Sequence, residues 1–172
     1  MDVEELRARQ APLKQAYRDD PAAALKVLHA TGTIDADGVV CRVETATGLA
    51  EAGLHPAAGG EARWACSGDM LLQSLVACAG VTLAAVAKSM GIAVRGGRVL
   101  AEGDLDFRGT LGVSKEVAVG FSAVRLRFEV DADATDEQRA SLLRLAERYC
   151  VIYQTLKAPP RLEAAIAADQ SS

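Results

Sequence analysis

A chain of 172 residues, half of them apolar, can bury one substantial core but is too short for two full domains. Its net charge of −4, with both signs interspersed, excludes the clustered basic face of a nucleic-acid binder. The first residues lack the basic, apolar and small-residue succession of a secretion signal, so a cytoplasmic location is expected.

Four cysteines, Cys41, Cys66, Cys78 and Cys150, do not form the dense pattern of a disulfide scaffold. No pair has zinc-knuckle spacing. With only His29 and His55 available, neither a metal site nor the histidine base of a serine hydrolase is expected, and no cofactor is implied.

Residues 1–30 read as a polar helical arm, charged from Asp2 to Arg18, with Pro12 as an expected break. Asp20 before Pro21 is an N-cap followed by a first-turn proline, which predicts a short helix towards His29. The main domain is expected over 31–172. Thr33-Ile34 and Val39 to Val43 flank the turn-forming Asp35-Ala36-Asp37-Gly38, which predicts a hairpin. Residues 46–66 are rich in Gly and Ala and read as an ordered loop with a short strand near Trp64.

Ser67 is the expected N-cap of a long helix, with Asp69 in its first turn and Gly91 as its stop. Leu71, Leu75, Cys78, Thr82 and Ala85 share one face; Leu72, Val76, Ala79, Leu83 and Val86 form a second apolar stripe beside it. Met70 to Ala87 carries no charge, which is near the lower limit for a membrane span. Gln73, Ser74, Gly80 and Thr82 interrupt it, so a helix buried at the centre of a globular fold is expected instead.

Strands return over 93–130 around the turn Arg108-Gly109-Thr110-Leu111-Gly112. Val124, Leu126, Phe128 and Val130 alternate with Arg125, Arg127 and Glu129. Thr135 and Gln138 form a capping box for a helix to Tyr149, with Cys150 at its end and a further turn over Val151 to Leu156. Pro159-Pro160 precedes a strand-like segment, Leu162 to Ile166. The order of elements is α+β.

A thiol in a central helix is by itself more often structural than reactive. Ala77, Ala79 and Gly80 around Cys78, however, leave room for another element to reach the sulfur, and Cys150 ends the other strong helix inside an uncharged run. Cys66, just before the long helix, is an alternative reactive thiol. Cys41 reads as core, and His55 sits in a loop that could line a pocket.

The run from Ser67 to Leu83, with its early acid, Leu-Leu pair and small-residue approach to Cys78, resembles the cysteine helix of the OsmC/Ohr family (osmotically inducible protein C and organic hydroperoxide resistance protein). Glu147 to Leu156 is similar to that family's second cysteine segment, although Val151 stands where a proline often follows the cysteine. The resemblance spans about residues 31–168. It implies an intertwined homodimer of curved antiparallel sheets packed on the cysteine helix. It also implies a peroxidase cycle in which Cys78 attacks an organic hydroperoxide, Cys150 closes a disulfide, and an external dithiol reopens it.

The family's hydroperoxide-resistance branch pairs an arginine from the first hairpin turn with a carboxylate at the start of the cysteine helix. Asp69 matches the acidic position, but the turn holds no arginine; Arg42 and Arg63 are the candidates by position, and Arg108 a weaker one. A protein of this fold that binds an apolar ligand or a partner, with structural cysteines, is the alternative. A protein thiol–disulfide oxidoreductase lacks its Cys-x-x-Cys.

Overall fold

The computed structural model describes residues 2–35 and 39–167. Helix α1 (Val3–Asp19) opens on Asp2, whose carboxylate accepts the Glu5 N–H at 2.8 Å, and none of its residues is buried. Pro12 does not break it, contrary to expectation. The carbonyl that loses a partner belongs to Ala8 on an exposed surface, where proline costs the helix least. Asp20 caps the next element as expected, but that element is a single 3-10 turn, Pro21–Ala24, and ends well short of His29. The segment after it carries Leu25, Val27 and Leu28, all largely exposed.

The expected hairpin forms from β1 (Gly32–Ile34) and β2 (Val40–Thr45), with Ile34 opposite Cys41; turn residues 36–38 lie outside the described residues. Over 46–66 the loop expectation is corrected. β3 (Gly48–Gly53) pairs antiparallel with all of β2 through a two-residue turn, and Thr45 Oγ1 donates to the Gly48 carbonyl at 2.6 Å. Alanine and glycine are weak strand formers, so this strand is specified by its partner rather than by its own composition. β4 (Ala65–Cys66) adds in parallel beside β3 next to Trp64, as anticipated.

β4 runs directly into α2 (Ser67–Ser89), so Cys66 rather than Ser67 is the N-cap, and it makes no side-chain cap bond. Gly91 ends the helix at φ +70°, a conformation suited to glycine. By length and composition α2 could cross a membrane; its buried residues are Leu75, Ala79, Leu83, Val86 and Ala87.

β5 (Ala93–Leu105) and β6 (Phe121–Asp133) form a separate antiparallel ribbon. Its outer face is tied by the ion pairs Arg95–Asp131, Arg98–Glu129 and Arg125–Asp104. Its inner face lays Val99, Ala101, Leu126 and Phe128 on α2. At Gly103 a side chain would run into the Phe121 ring, 2.5 Å from where a Cβ would stand. One helical turn, α3 (Phe107–Thr110), follows β5, and Gly112 turns the chain back at φ +68°.

The predicted capping box is present on α4 (Asp136–Tyr149), with Thr135 Oγ1 accepting from Gln138 N and Gln138 Oε1 accepting from Thr135 N. Cys150, at φ −75° and ψ 109°, interrupts the helix for one residue before α5 (Val151–Lys157). The strand expected over Leu162 to Ile166 does not form: after Pro159-Pro160 the described residues are irregular, and Leu162 and Ile166 are exposed. Among the described residues no strand pairs with them. The architecture is α+β, with two contiguous cores. Leu83, Val86, Ala87, Ile92, Ala132, Leu142 and Ala146 make one, and Leu75, Ala79 and Cys150 make the other.

Candidate active site

Cys78 lies in the middle of α2, and Cys150 at the joint between α4 and α5. The packing of α5 against α2 brings the two sulfurs together from chain positions 72 residues apart (150 minus 78). Cys150 is 1% exposed, walled by Leu75 and Ala79, while Cys78 is half-buried and reachable. Both are free thiols, as are Cys41 and Cys66.

The one-residue break at Cys150 sets the electrostatics. The first carbonyl accepted inside α5 is that of Cys150, by Gln154 N–H at 3.0 Å, so the N–H groups of Val151, Ile152 and Tyr153 precede the helical ladder. Burial pushes the Cys78 thiol up, but the Ile152 N–H, the Cys150 thiol, the Val151 N–H and the Thr82 hydroxyl all donate to its sulfur. Together they leave its pKa below the ordinary thiol value. Burial pushes Cys150 up as well, and there it prevails. The Tyr153 and Ile152 N–H groups pull down, while donating to Cys78 and facing its negative charge push up, so Cys150 ends above the ordinary value. The pair is therefore polarised, with a thiolate-prone sulfur on the accessible side and a protonated donor behind it.

The remaining expected site residues stand elsewhere in the chain. Asp69 is exposed in the first turn of α2 and pairs with no arginine among the described residues. Arg42 is held on the four-stranded sheet by Asp35 at 2.6 Å and Glu51 at 3.0 Å. Arg63 pairs with Glu61 at 2.7 Å and lies over the Trp64 ring. Arg108 is bound to Asp106, whose carboxyl it draws down to about 2. None of these guanidinium groups is among those acting on Cys78. The backbone donors of α5 and the Thr82 hydroxyl were not legible as activators. A helix break at a cysteine leaves no compositional trace, and Thr82 read only as part of a stripe.

Beside the pair lies a cavity of about 860 Å³, lined by Leu71, Leu75, Phe107, Phe121, Tyr153 and the thiol-bearing Cys66 among others. Leu75, Leu126, Phe128 and Tyr153 both line it and pack against the cysteine cluster, and neither Cys78 nor Cys150 is among its lining residues. His55 is at its edge, stacked on Phe107 at 4.9 Å between ring centroids. Its Nδ1 accepts the Ala57 N–H at 3.0 Å. Among the described residues no cluster of His, Cys, Asp and Glu could hold a metal ion.

Residues 60–165 match the family model described as OsmC-like protein. No curated protein sequence matches the chain. Among solved structures, an OsmC-like protein from Mycoplasma pneumoniae is similar with a TM-score of 0.65 at 14% identity, over 78% of this chain and 89% of that one. An organic hydroperoxide resistance protein OsmC from Legionella pneumophila gives 0.59 at 20% identity, over 78% and 92%. An organic hydroperoxide resistance protein from Elizabethkingia anophelis gives 0.55 at 20%, over 79% and 91%. At these identities the likeness to solved structures establishes the fold alone.

Proposed function

The chain belongs to the OsmC-like protein family, and from that premise we propose that it is a thiol peroxidase that reduces organic hydroperoxides to alcohols through Cys78 and Cys150. The observation that carries this reading is the meeting of two free thiols from distant parts of the chain, Cys78 packed against the buried Cys150.

The Cys78 thiolate attacks the outer oxygen of the hydroperoxide, the O–O bond breaks, and the alkoxide leaves to be protonated to the alcohol. Cys78 is then a sulfenic acid. The Cys150 sulfur attacks that sulfenic sulfur, its proton leaves with the hydroxide as water, and a disulfide forms. An external dithiol restores both thiols by exchange and becomes the disulfide itself. In sum, two thiols and one hydroperoxide give a disulfide, an alcohol and water. Backbone N–H groups stabilise the thiolate in this scheme, in place of a guanidinium. The cavity that shares Leu75, Leu126, Phe128 and Tyr153 with the cysteine cluster suits a bulky organic substituent.

We further infer a homodimer. The protomer exposes 13016 Å², whereas a compact chain of its 18.0 kDa exposes about 8,000 Å². Val81 on the core helix is 73% exposed. The N-terminal arm and the C-terminal segment, with Leu25, Val27, Leu28, Leu162 and Ile166 exposed, hold part of this excess, and an interface between two copies would cover part of the rest. Sedimentation of a single 18.0 kDa species at micromolar concentration would remove the dimer from the reading.

Titration of free thiols before and after one equivalent of cumene hydroperoxide tests the activity. Two thiols should disappear with the oxidant, and C78S should consume none. A C78S protein as fast as the original would refute the assignment of the attacking sulfur. A second reading, binding of an apolar ligand with no redox turnover, is favoured by the ties of Arg42 and Arg63 to carboxylates away from Cys78. Four thiols left intact by the hydroperoxide would select it.

A further inference from the structure

Leu54, Leu71, Leu143 and Leu156 line the large cavity and are all exposed, so its mouth presents apolar surface to water. Leu156 and Lys157, both at the cavity wall, are also the last two residues of α5. Pro159 and Pro160 bar the helix from continuing, so the chain leaves α5 beside the cavity. Just beyond, Leu162 and Ile166 are among the most exposed large apolar side chains. Their spacing of four places them on one side of an extended segment. Charge is matched as well. Glu147 lines the cavity, and among the described residues its carboxylate makes no ion pair. Arg161 is exposed and pairs with Glu163, two residues along, at 2.8 Å.

We propose that residues 161–167 are a strap that closes over this cavity, with Leu162 and Ile166 entering it and Arg161 moving from Glu163 to Glu147. In this structure the strap stands open. Five extended residues, the count from Lys157 to Leu162, span up to about 17 Å, against about 12 Å across a sphere of the cavity's 860 Å³. Closing exchanges an ion pair between exposed neighbours for one at a half-buried carboxylate. It also takes two apolar side chains and the cavity mouth out of water. The short link favours the chain's own strap over that of a second copy, because it supplies an effective concentration on the order of millimolar. An organic molecule must displace the strap to enter, so weak apolar ligands are shut out. The strap acts on the cavity alone and is independent of whether Cys78 and Cys150 turn over peroxide.

The test is a titration of the full chain with the fluorescent anion anilinonaphthalene sulfonate, which brightens in apolar cavities. A strap closed about nine-tenths of the time weakens the dye about tenfold. L162E should hold the strap out and tighten binding by that factor at one site per chain, while L162M leaves it as it was. Leu162 is exposed in the open form, so neither change threatens folding. R161E should also tighten binding, although it adds a negative charge near an anionic dye. The double variant R161E with E147R exchanges the two charges and should return to the original affinity. Equal or weaker dye binding by L162E overturns the proposal; weaker binding would mean that the dye had been held by Leu162 itself. A double variant no more closed than R161E alone overturns it too, and if that variant does not fold, L162E and R161E decide. A difference between L162E and the original that fades on dilution would give the strap's place to a second copy, and would likewise overturn it.

Discussion

Replacing Val151 by proline removes one of the donors on the Cys78 sulfur while leaving the backbone nearly untouched. Val151 is the first residue of α5, a position where proline is well tolerated because no helical carbonyl depends on its N–H. Cys150 before it is already extended, at ψ 109°, as a residue preceding proline should be. The side chain is 67% exposed, so little packing is lost. The N–H of Val151 acts on Cys78, and a net hydrogen bond of about 0.5–1.5 kcal/mol corresponds to roughly 0.4 to 1.1 pH units. V151P should therefore melt close to the unsubstituted protein, while the Cys78 alkylation midpoint rises by that amount and V151A leaves it in place. If V151P melts normally with an unchanged midpoint, the backbone account of Cys78 activation is wrong. If it unfolds, the description of the joint is wrong.

In C150S the cycle should stop at the sulfenic acid. Dimedone should then add to Cys78, and excess hydroperoxide should drive it to sulfinic acid; a disulfide forming at the normal rate would exclude Cys150 as the resolving thiol. Because folding lowers the Cys78 pKa, its labelling should persist below the ordinary thiol range and fall away as pH drops through the lowered value. Cys150 should label only as pH rises above that range, and the reverse order in a pH series of peptide maps would contradict the polarity of the pair. The same shifts oppose each other in stability. The Cys78 contribution is present above the unfolded value of about 8.5 and lost on acidification, while that of Cys150 is present below it and lost at alkaline pH. Leu75→Ala should cost about 2–5 kcal/mol in denaturant unfolding, since Leu75 is 1% exposed in the cysteine cluster, and a loss under 1 kcal/mol would contradict that packing.

What was legible in the sequence was whatever a local rule encodes. The capping box at Thr135 and Gln138, the stop at Gly91 and the alternation from Val124 to Val130 each have a near neighbour as their cause. β3 was missed because its strand character comes from β2, residue by residue, rather than from Leu49-Ala50-Glu51-Ala52 itself. Pro12 was overread because a rule for packed helices was applied to one that packs on nothing buried. The Leu162 to Ile166 segment has a strand's composition but no partner in the chain. At the site, residue type pointed to the two cysteines. What distinguishes them, the donors that Cys150, Val151 and Ile152 offer one sulfur and the closed wall around the other, depends on how α5 meets α2.

The joint between α4 and α5 is one residue long, and that length is itself a constraint. Inserting a single amino acid there would turn α5 by about 100° about its axis and advance it by about 1.5 Å. The amides of Val151 and Ile152 would then face away from α2. Cys150 apart, the segment from Tyr149 to Ile152 should accordingly accept many changes of side chain but no change of count, and a library of insertions and deletions across it should show a gap at that place.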